Sequence, residues 1–371
     1  MGESVIYLLA ERLLPLFPQA NLFTYITFRA ALGAGFAILL ILIFGRSVVR
    51  KIKRMALGEH IYEELPDGHR KKAGTPSMGG LMIVGAIILS LLIFADITNP
   101  YVIVSLAILL GMGSLGFADD YVKLRKHKRG IKLRWKLVAQ IAFALGISVI
   151  MYMLPDFFYP GQEALRSQTN VLFLKNYVIQ IGVFYILLNT FLIVGAGNGV
   201  NFADGLDGLA IGLLAIAAGA YAVLAYVAGN VNISAYLDVL YVAKAGEMAI
   251  VCATIVGAGL GFLWFNTHPA SIFMGDTGSL PLGALMGFIA VVVKQEILLG
   301  IIGGVFVLEV ISVILQIIWF RASKGKKRLF KMAPLHHHFE LAGWVESKIV
   351  VRFWIWGILF ALAGLATLKV R

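Results

Sequence analysis

Residues 100–136 read PYVIVSLAILLGMGSLGFADDYVKLRKHKRGIKLRWK, and the order of the parts decides the class of fold. From Pro100 to Ala118 there is no charged residue. Wound as a helix rising about 1.5 Å per residue, that run crosses most of a hydrocarbon core roughly 30 Å thick. Asp119 and Asp120 close it, and Lys123, Arg125, Lys126, Lys128, Arg129, Lys132, Arg134 and Lys136 follow. An apolar crossing that runs into a basic loop reads as a membrane span emerging on the cytoplasmic side.

The pattern repeats in both directions. Ten candidate spans fall at about 25–45, 77–95, 100–118, 135–154, 177–196, 208–229, 247–265, 280–293, 297–320 and 349–369. The eighth is short and the ninth long, which predicts a tilted, kinked or broken helix there. Basic residues crowd the loops after odd-numbered spans. Arg46, Arg50, Lys51, Lys53, Arg54, Arg70, Lys71 and Lys72 follow the first, and Arg321, Lys324, Lys326, Lys327, Arg328, Lys331 and Lys348 follow the ninth. Loops after even-numbered spans offer Arg166, Lys175, Lys244 and Lys294. The asymmetry predicts cytoplasmic odd loops and periplasmic termini.

Composition agrees. The 371 residues are 60% hydrophobic and 14% charged, against about 45–50% and about 25% in soluble domains. No stretch between spans is long enough for a separate soluble domain, so residues 1–371 read as one all-α polytopic membrane domain. The net charge of +12 belongs to the juxtamembrane loops, and nucleic acid is not expected as a partner. Cys252 is alone in the chain, so no intrachain disulfide forms. Glu3 and Glu11 stand where a basic signal region would lie, which argues against a cleavable leader.

With this orientation the polar residues collect on the cytoplasmic side. They are Asp119-Asp120; Asn198, Asn201, Asp204 and Asp207 between spans 5 and 6; Asn266, His268 and Asp276 between spans 7 and 8; and His336, His337 and His338 after span 9. An ion carrier would place such groups at mid-membrane, where Glu309 is the clearest charge. Bland readings exist for each cluster. Asp119-Asp120 could be a solvated helix end, although carboxylates at a helix C-terminus are disfavoured by roughly 0.3–1 kcal/mol each. Lys123 relieves part of that cost if the helix continues. Asp207 could cap span 6, but capping explains one polar residue of the four spaced three apart. Consecutive histidines lack the i, i+4 spacing of a zinc helix and suit phosphate or sugar contacts better. Cytoplasmic aspartates beside many lysines suit Mg²⁺ and a phosphorylated ligand, and no Walker motif is present.

Five segments carry a resemblance: Lys72-Ala-Gly-Thr75-Pro76-Ser77-Met-Gly79-Gly80, Phe117-Ala-Asp119-Asp120-Tyr121, Asn198 to Leu209, Asn266 to Leu280, and Pro334-Leu-His336-His337-His338-Phe-Glu340. Together they resemble the polyprenyl-phosphate N-acetylhexosamine-1-phosphate transferases. The likeness is greatest to the phospho-N-acetylmuramoyl-pentapeptide transferases (the MraY family), and it covers essentially the whole chain. Ser77 stands where a second Thr is common, which keeps the hydroxyl.

The resemblance implies a ten-helix inner-membrane enzyme, its active site on the cytoplasmic face. It implies UDP-N-acetylmuramoyl-pentapeptide and undecaprenyl phosphate as substrates, lipid I and UMP as products, Mg²⁺ as cofactor, and a homodimer. It also implies Asp276 as the Mg²⁺ ligand, with Asp119 and Asp120 for base or metal duty. Asn201, Asp204 and Asp207, with Asn198 nearby, would line the nucleotide site. Phe273 would stack on uracil beside Asn266, Lys72 and Thr75. His336, His337 and His338 would hold the sugar-phosphate end, and lysines such as Lys123 would stabilise diphosphate charge. Rivals are a transferase using UDP-N-acetylglucosamine, a lipid transporter, and an envelope scaffold.

Overall fold

The computed structural model describes residues 18–55, 75–126, 130–170 and 178–369. Among them, eight helices are long and apolar enough to cross a membrane, and two further apolar helices are shorter. In chain order we name α1 (Ile26–Met55), α2 (Gly80–Phe94), α3 (Pro100–Lys126), α4 (Leu133–Met153), α5 (Tyr185–Ala203), α6 (Leu209–Ala228), α7 (Glu247–Asn266), α8 (Asp276–Val292), α9 (Gly304–Ala322) and α10 (Glu346–Ala366). The short members are α2 and α8. The expected irregularity of the ninth span is a break at Gly303, with a short helix, Glu296–Ile302, before it.

α8 is the axis of the bundle. All of its 17 residues are buried, and α2, α3, α5 and α6 pack around it. Small residues let the neighbours close in, as they do wherever helices associate without a hydrophobic driving force. A Cβ on Gly116 of α3 would lie 2.1 Å from the Asp276 carbonyl oxygen, and one on Gly80 of α2 would lie 2.1 Å from the Gly278 nitrogen. Both glycines therefore fix where α8 begins. The outer helices instead turn large apolar side chains outward, with Phe191, Trp264 and Trp356 each more than half exposed. An apolar exterior around a packed interior suits lipid rather than water.

Two polar knots tie the end of the bundle remote from Asp276. Arg29 of α1 donates to both carboxylate oxygens of Glu247 (3.0 and 2.5 Å) and to the Phe94 carbonyl (3.1 Å), while Asp96 N–H donates to Glu247 at 2.9 Å. Lys294, fully buried, donates to the Tyr185 hydroxyl at 2.8 Å, and Tyr185 and Thr169 donate to Glu296. Burial pushes the Lys294 amine down to about 7, partly opposed by Glu296.

Two details depart from the sequence reading. The fifth span begins at Tyr185 because residues 178–180 form β2, a strand antiparallel to β1 (Gln168–Asn170). It also runs on through its glycines to Ala203, so Asn198 and Asn201 are helical rather than in a loop.

Candidate functional site

Asp119 and Asp120 do not end their helix. α3 continues to Lys126, which places both carboxylates before the last turn, where the unfavourable macrodipole falls off. The extra turns bring Lys123 back over them, its Nζ 3.0 Å from Asp119 and 3.7 Å from Asp120. The two side chains diverge, as adjacent helical residues must. Asp120 accepts from the N–H of Asp276 (3.2 Å) and from the N–H and hydroxyl of Thr277 (2.9 and 2.6 Å). It caps α8, and its negative charge meets the positive end of a helix dipole.

Asp119 faces the other way. Its Oδ1 accepts from Ile131 N–H at 2.6 Å, and its Oδ2 lies 3.3 Å from Lys136 Nζ. Asp276 stands between the lysines. Its Oδ2 is 3.2 Å from Lys123 Nζ and in direct contact with Lys136, while Oδ1 accepts from Asn201 Nδ2 at 2.6 Å. The three carboxylates are buried, and their candidate ligand atoms lie within 4.8 Å of one another. Three carboxylates against two ammonium groups leave an excess of negative charge. Hard, clustered oxygens with that imbalance suit a divalent cation such as Mg²⁺.

The turn between α5 and α6 ties this cluster to the 266–275 loop and to His336. Asn201 touches Asp276 as described. Asp204 accepts from Gly275 N–H at 3.1 Å. A Cβ on Gly205 would sit 2.3 Å from His336 Nε2. Asp207 accepts from Ala270 N–H at 3.1 Å and lies 3.0 Å from His268 Nδ1, which in turn is 3.3 Å from Glu346. Asp207 therefore does not cap α6, whose cap position is Gly208 with φ +80° and no side-chain cap bond. Asn198 turns to Gln140 of α4 (2.6 Å), and the chain leaves the helix after Ala203.

A strand-like pairing brings the 75–80 segment to the same place. Phe273 N–H donates to Pro76 O (2.9 Å), Gly79 N–H to Phe273 O (2.8 Å) and Gly80 N–H to Met274 O (2.8 Å). Thr75 reaches the Ala270 carbonyl at 3.5 Å. Phe273 is half-buried at this junction. Asn266 braces the loop from beneath, donating to Ile272 O and accepting from Gly208 N–H. Lys72 lies outside the described residues.

The three histidines take different partners, although the ring centroids of His336 and His337 are 4.2 Å apart. His336 is buried next to Glu309, His337 pairs with Glu340 at 2.7 Å, and half-buried His338 accepts from Lys331 N–H at 3.1 Å. Lys136 was not singled out in the sequence as a site residue, since it reads as one more basic loop residue. Its distinguishing signal is position, at the start of an apolar helix. Thr277 and Ser279 also contribute, through Asp120 and Asn201.

Known proteins resemble this chain over most of its length. The family model described as glycosyl transferase family 4 matches residues 101–294, and the phospho-N-acetylmuramoyl-pentapeptide-transferase signature 1 matches residues 72–84. A phospho-N-acetylmuramoyl-pentapeptide-transferase of Desulforapulum autotrophicum is 49% identical over 352 residues, covering 95% of this chain and 96% of the relative. One from Syntrophus aciditrophicus is 48% identical over 352 residues, with the same coverage.

Proposed function

This chain belongs to the phospho-N-acetylmuramoyl-pentapeptide transferases, and from that premise we propose that Asp119, Asp120 and Asp276, with Lys123 and Lys136, are its catalytic centre. The protein transfers phospho-N-acetylmuramoyl-pentapeptide from its UDP-linked precursor to undecaprenyl phosphate, giving lipid I and UMP. An oxygen of the lipid phosphate bonds to the β-phosphorus, the bond from that phosphorus to the bridging oxygen breaks, and UMP leaves with the electron pair. Negative charge accumulates on the diphosphate, so catalysis is mainly positioning and charge stabilisation.

The observation that carries the assignment is the meeting of three buried carboxylates and two lysines at the start of α8. Lys123 and Lys136 supply positive charge to the leaving diphosphate. Asp119 takes or orients the proton of the lipid phosphate. Asp120 holds the start of α8, so that Asp276 faces the cluster. Asp276 is the residue that would hold Mg²⁺, which supplies electrostatic stabilisation of phosphate oxygens when bound. Asn201, Asp204 and Asp207 border the nucleotide, with Phe273 as the stacking surface for the base and Thr75 and Asn266 shaping its loop. His337 and His338 lie toward the sugar-phosphate end.

The site lies on the cytoplasmic face of ten spans in the bacterial inner membrane, both termini are periplasmic, and the protein is a homodimer. The support for this placement is the basic-loop asymmetry together with the family. Cysteines introduced near Lys126 and Lys327 should label from the cytoplasm alone, and periplasmic labelling in intact cells would overturn the orientation.

The decisive assay is UMP release by purified full-length protein given both substrates, with and without Mg²⁺. We expect Mg²⁺-dependent UMP release that Asp276→Asn abolishes. Equal turnover of UDP-N-acetylglucosamine, or lipid movement without UMP, would overturn the assignment.

A further inference from the structure

Glu309 is a carboxylate inside a membrane-spanning helix, and it is completely buried. An ionisable side chain in such a place is retained for a partner or a task. Among the described residues neither of its oxygens has a hydrogen-bond partner. What it faces is His336, with Oε1 3.3 Å from Nδ1. His336 is 1% exposed, and its two nitrogens also lack hydrogen-bond partners. The opposite edge of the ring abuts Gly205, where a Cβ would come within 2.3 Å of Nε2. Leu206, next in the chain, belongs to the same apolar cluster as Val305 of α9. Water is excluded from both sides of the ring, and the imidazole is clamped between α9 and the turn that carries Asn201, Asp204 and Asp207.

We propose that Glu309 is a positioning residue of the transferase: its carboxylate accepts from the Nδ1–H of His336 and so holds the imidazole against Gly205, setting the 201–208 turn for the nucleotide. A carboxylate can only accept, so the ring must present its protonated nitrogen to α9. Rotating the ring would set a carbon edge against the carboxylate and remove the 3.3 Å approach of Nδ1, which is costly for a carboxylate in an apolar site. The ring fills the space a Cβ at Gly205 would need, so the placement of His336 bears directly on the backbone between Asp204 and Asp207. Neither Glu309 nor its contact needs to touch substrate for this.

The inference rests on the nucleotide reading of the turn, and the test separates the two. Steady-state kinetics of the purified full-length protein would be measured separately against each substrate for Glu309→Leu, Glu309→Gln, His336→Asn and the Leu/Asn double variant. Glu309→Leu should raise KM for the UDP-linked substrate about tenfold and leave KM for the lipid phosphate unchanged. Glu309→Gln keeps an acceptor oxygen and should recover most of that loss. The double variant should be no worse than His336→Asn, because the two residues act as one unit. Equal increases in both KM values, no rescue by Gln, or full additivity would overturn the proposal. Thermal midpoints of the purified variants identify any that misfold, and Glu309→Gln then carries the test. Asp204→Asn and Asp207→Asn are the controls. If neither changes the nucleotide KM, it is the reading of the turn that fails.

Discussion

Lys136, in the first turn of α4, contacts the Asp276 carboxylate that opens α8, across 140 positions of sequence. The lysine is 9% exposed, so its charge is compensated by Asp276 and Asp119 rather than by solvent. A buried ammonium beside a carboxylate cluster can move its charge onto a phosphate when one arrives.

Lys136→Met should lower turnover about 10²–10³-fold, the usual cost of losing one fixed charge that stabilises a transition state. It also leaves more carboxylate charge uncompensated. Mg²⁺ should then raise the unfolding midpoint of the variant more than that of the native protein, because a ligand stabilises in proportion to its affinity. An equal Mg²⁺ shift in the two proteins would separate Lys136 from the metal site.

Asp119 and Asp120 should fail differently. A lipid phosphate monoester has a second pKa near 6, by analogy with phosphoserine, and needs little base at pH 8. Asp119→Asn should therefore be strongly impaired at pH 6 and progressively rescued toward pH 8. Asp120→Ala removes the cap of α8, should cost about 1–2 kcal/mol of stability, and should show no such rescue. Rate–pH profiles and unfolding midpoints of both variants decide this. A pH-independent defect at Asp119 would assign it to positioning or metal binding.

Breaking the Arg29–Glu247 pair should affect the fold and spare the chemistry. Arg29→Met strands a buried carboxylate, which typically costs about 3–5 kcal/mol. Adding Glu247→Leu should recover much of it, since replacing both partners with apolar groups removes the desolvation cost. Midpoints in detergent give the stabilities, and UMP release below the midpoint should stay near native.

Lys294 makes stability depend on pH. Its folded value of about 7 lies below the unfolded value of 10.5. Between the two, the unfolded chain binds the extra proton, so stability rises with pH across that window. Each pH unit adds at most about 1.4 kcal/mol. Lys294→Met lacks this rise, so the native protein should gain on the variant from pH 7 to pH 10. A constant difference in midpoint across that range would show that Lys294 keeps its proton.

Much of this was legible in the sequence because the spans and the polar clusters are local patterns. Apolar runs and basic loops indicate where helices cross, and Asp119, Asp276 and the 201–207 residues stand out against a chain with few acids. What the pattern cannot carry is which ends meet. Lys136 looks like its seven basic neighbours until α4 is docked beside α8. Asp120 reads as a poor helix end, yet it is the cap of a different helix. The pairing of Pro76 and Gly79 with Phe273 has no periodicity of its own. The sequence reading ends the fifth span at about 196, but α8 packs against the glycines near Gly197 and the helix continues to Ala203.

The burial of α8 on every side has a consequence for how its sequence can vary. A helix with one face toward lipid tolerates change at intervals of about 3.6 residues. α8 has no such face, so tolerance to substitution should lose its helical rhythm there. A saturation library selected for function should be depleted at every position from Asp276 to Val292, whereas α10, with Trp356 and Ile358 exposed, should show alternating bands. The acceptable residues in α8 are then set by α2, α3, α5 and α6, so compensating changes should arise in those helices.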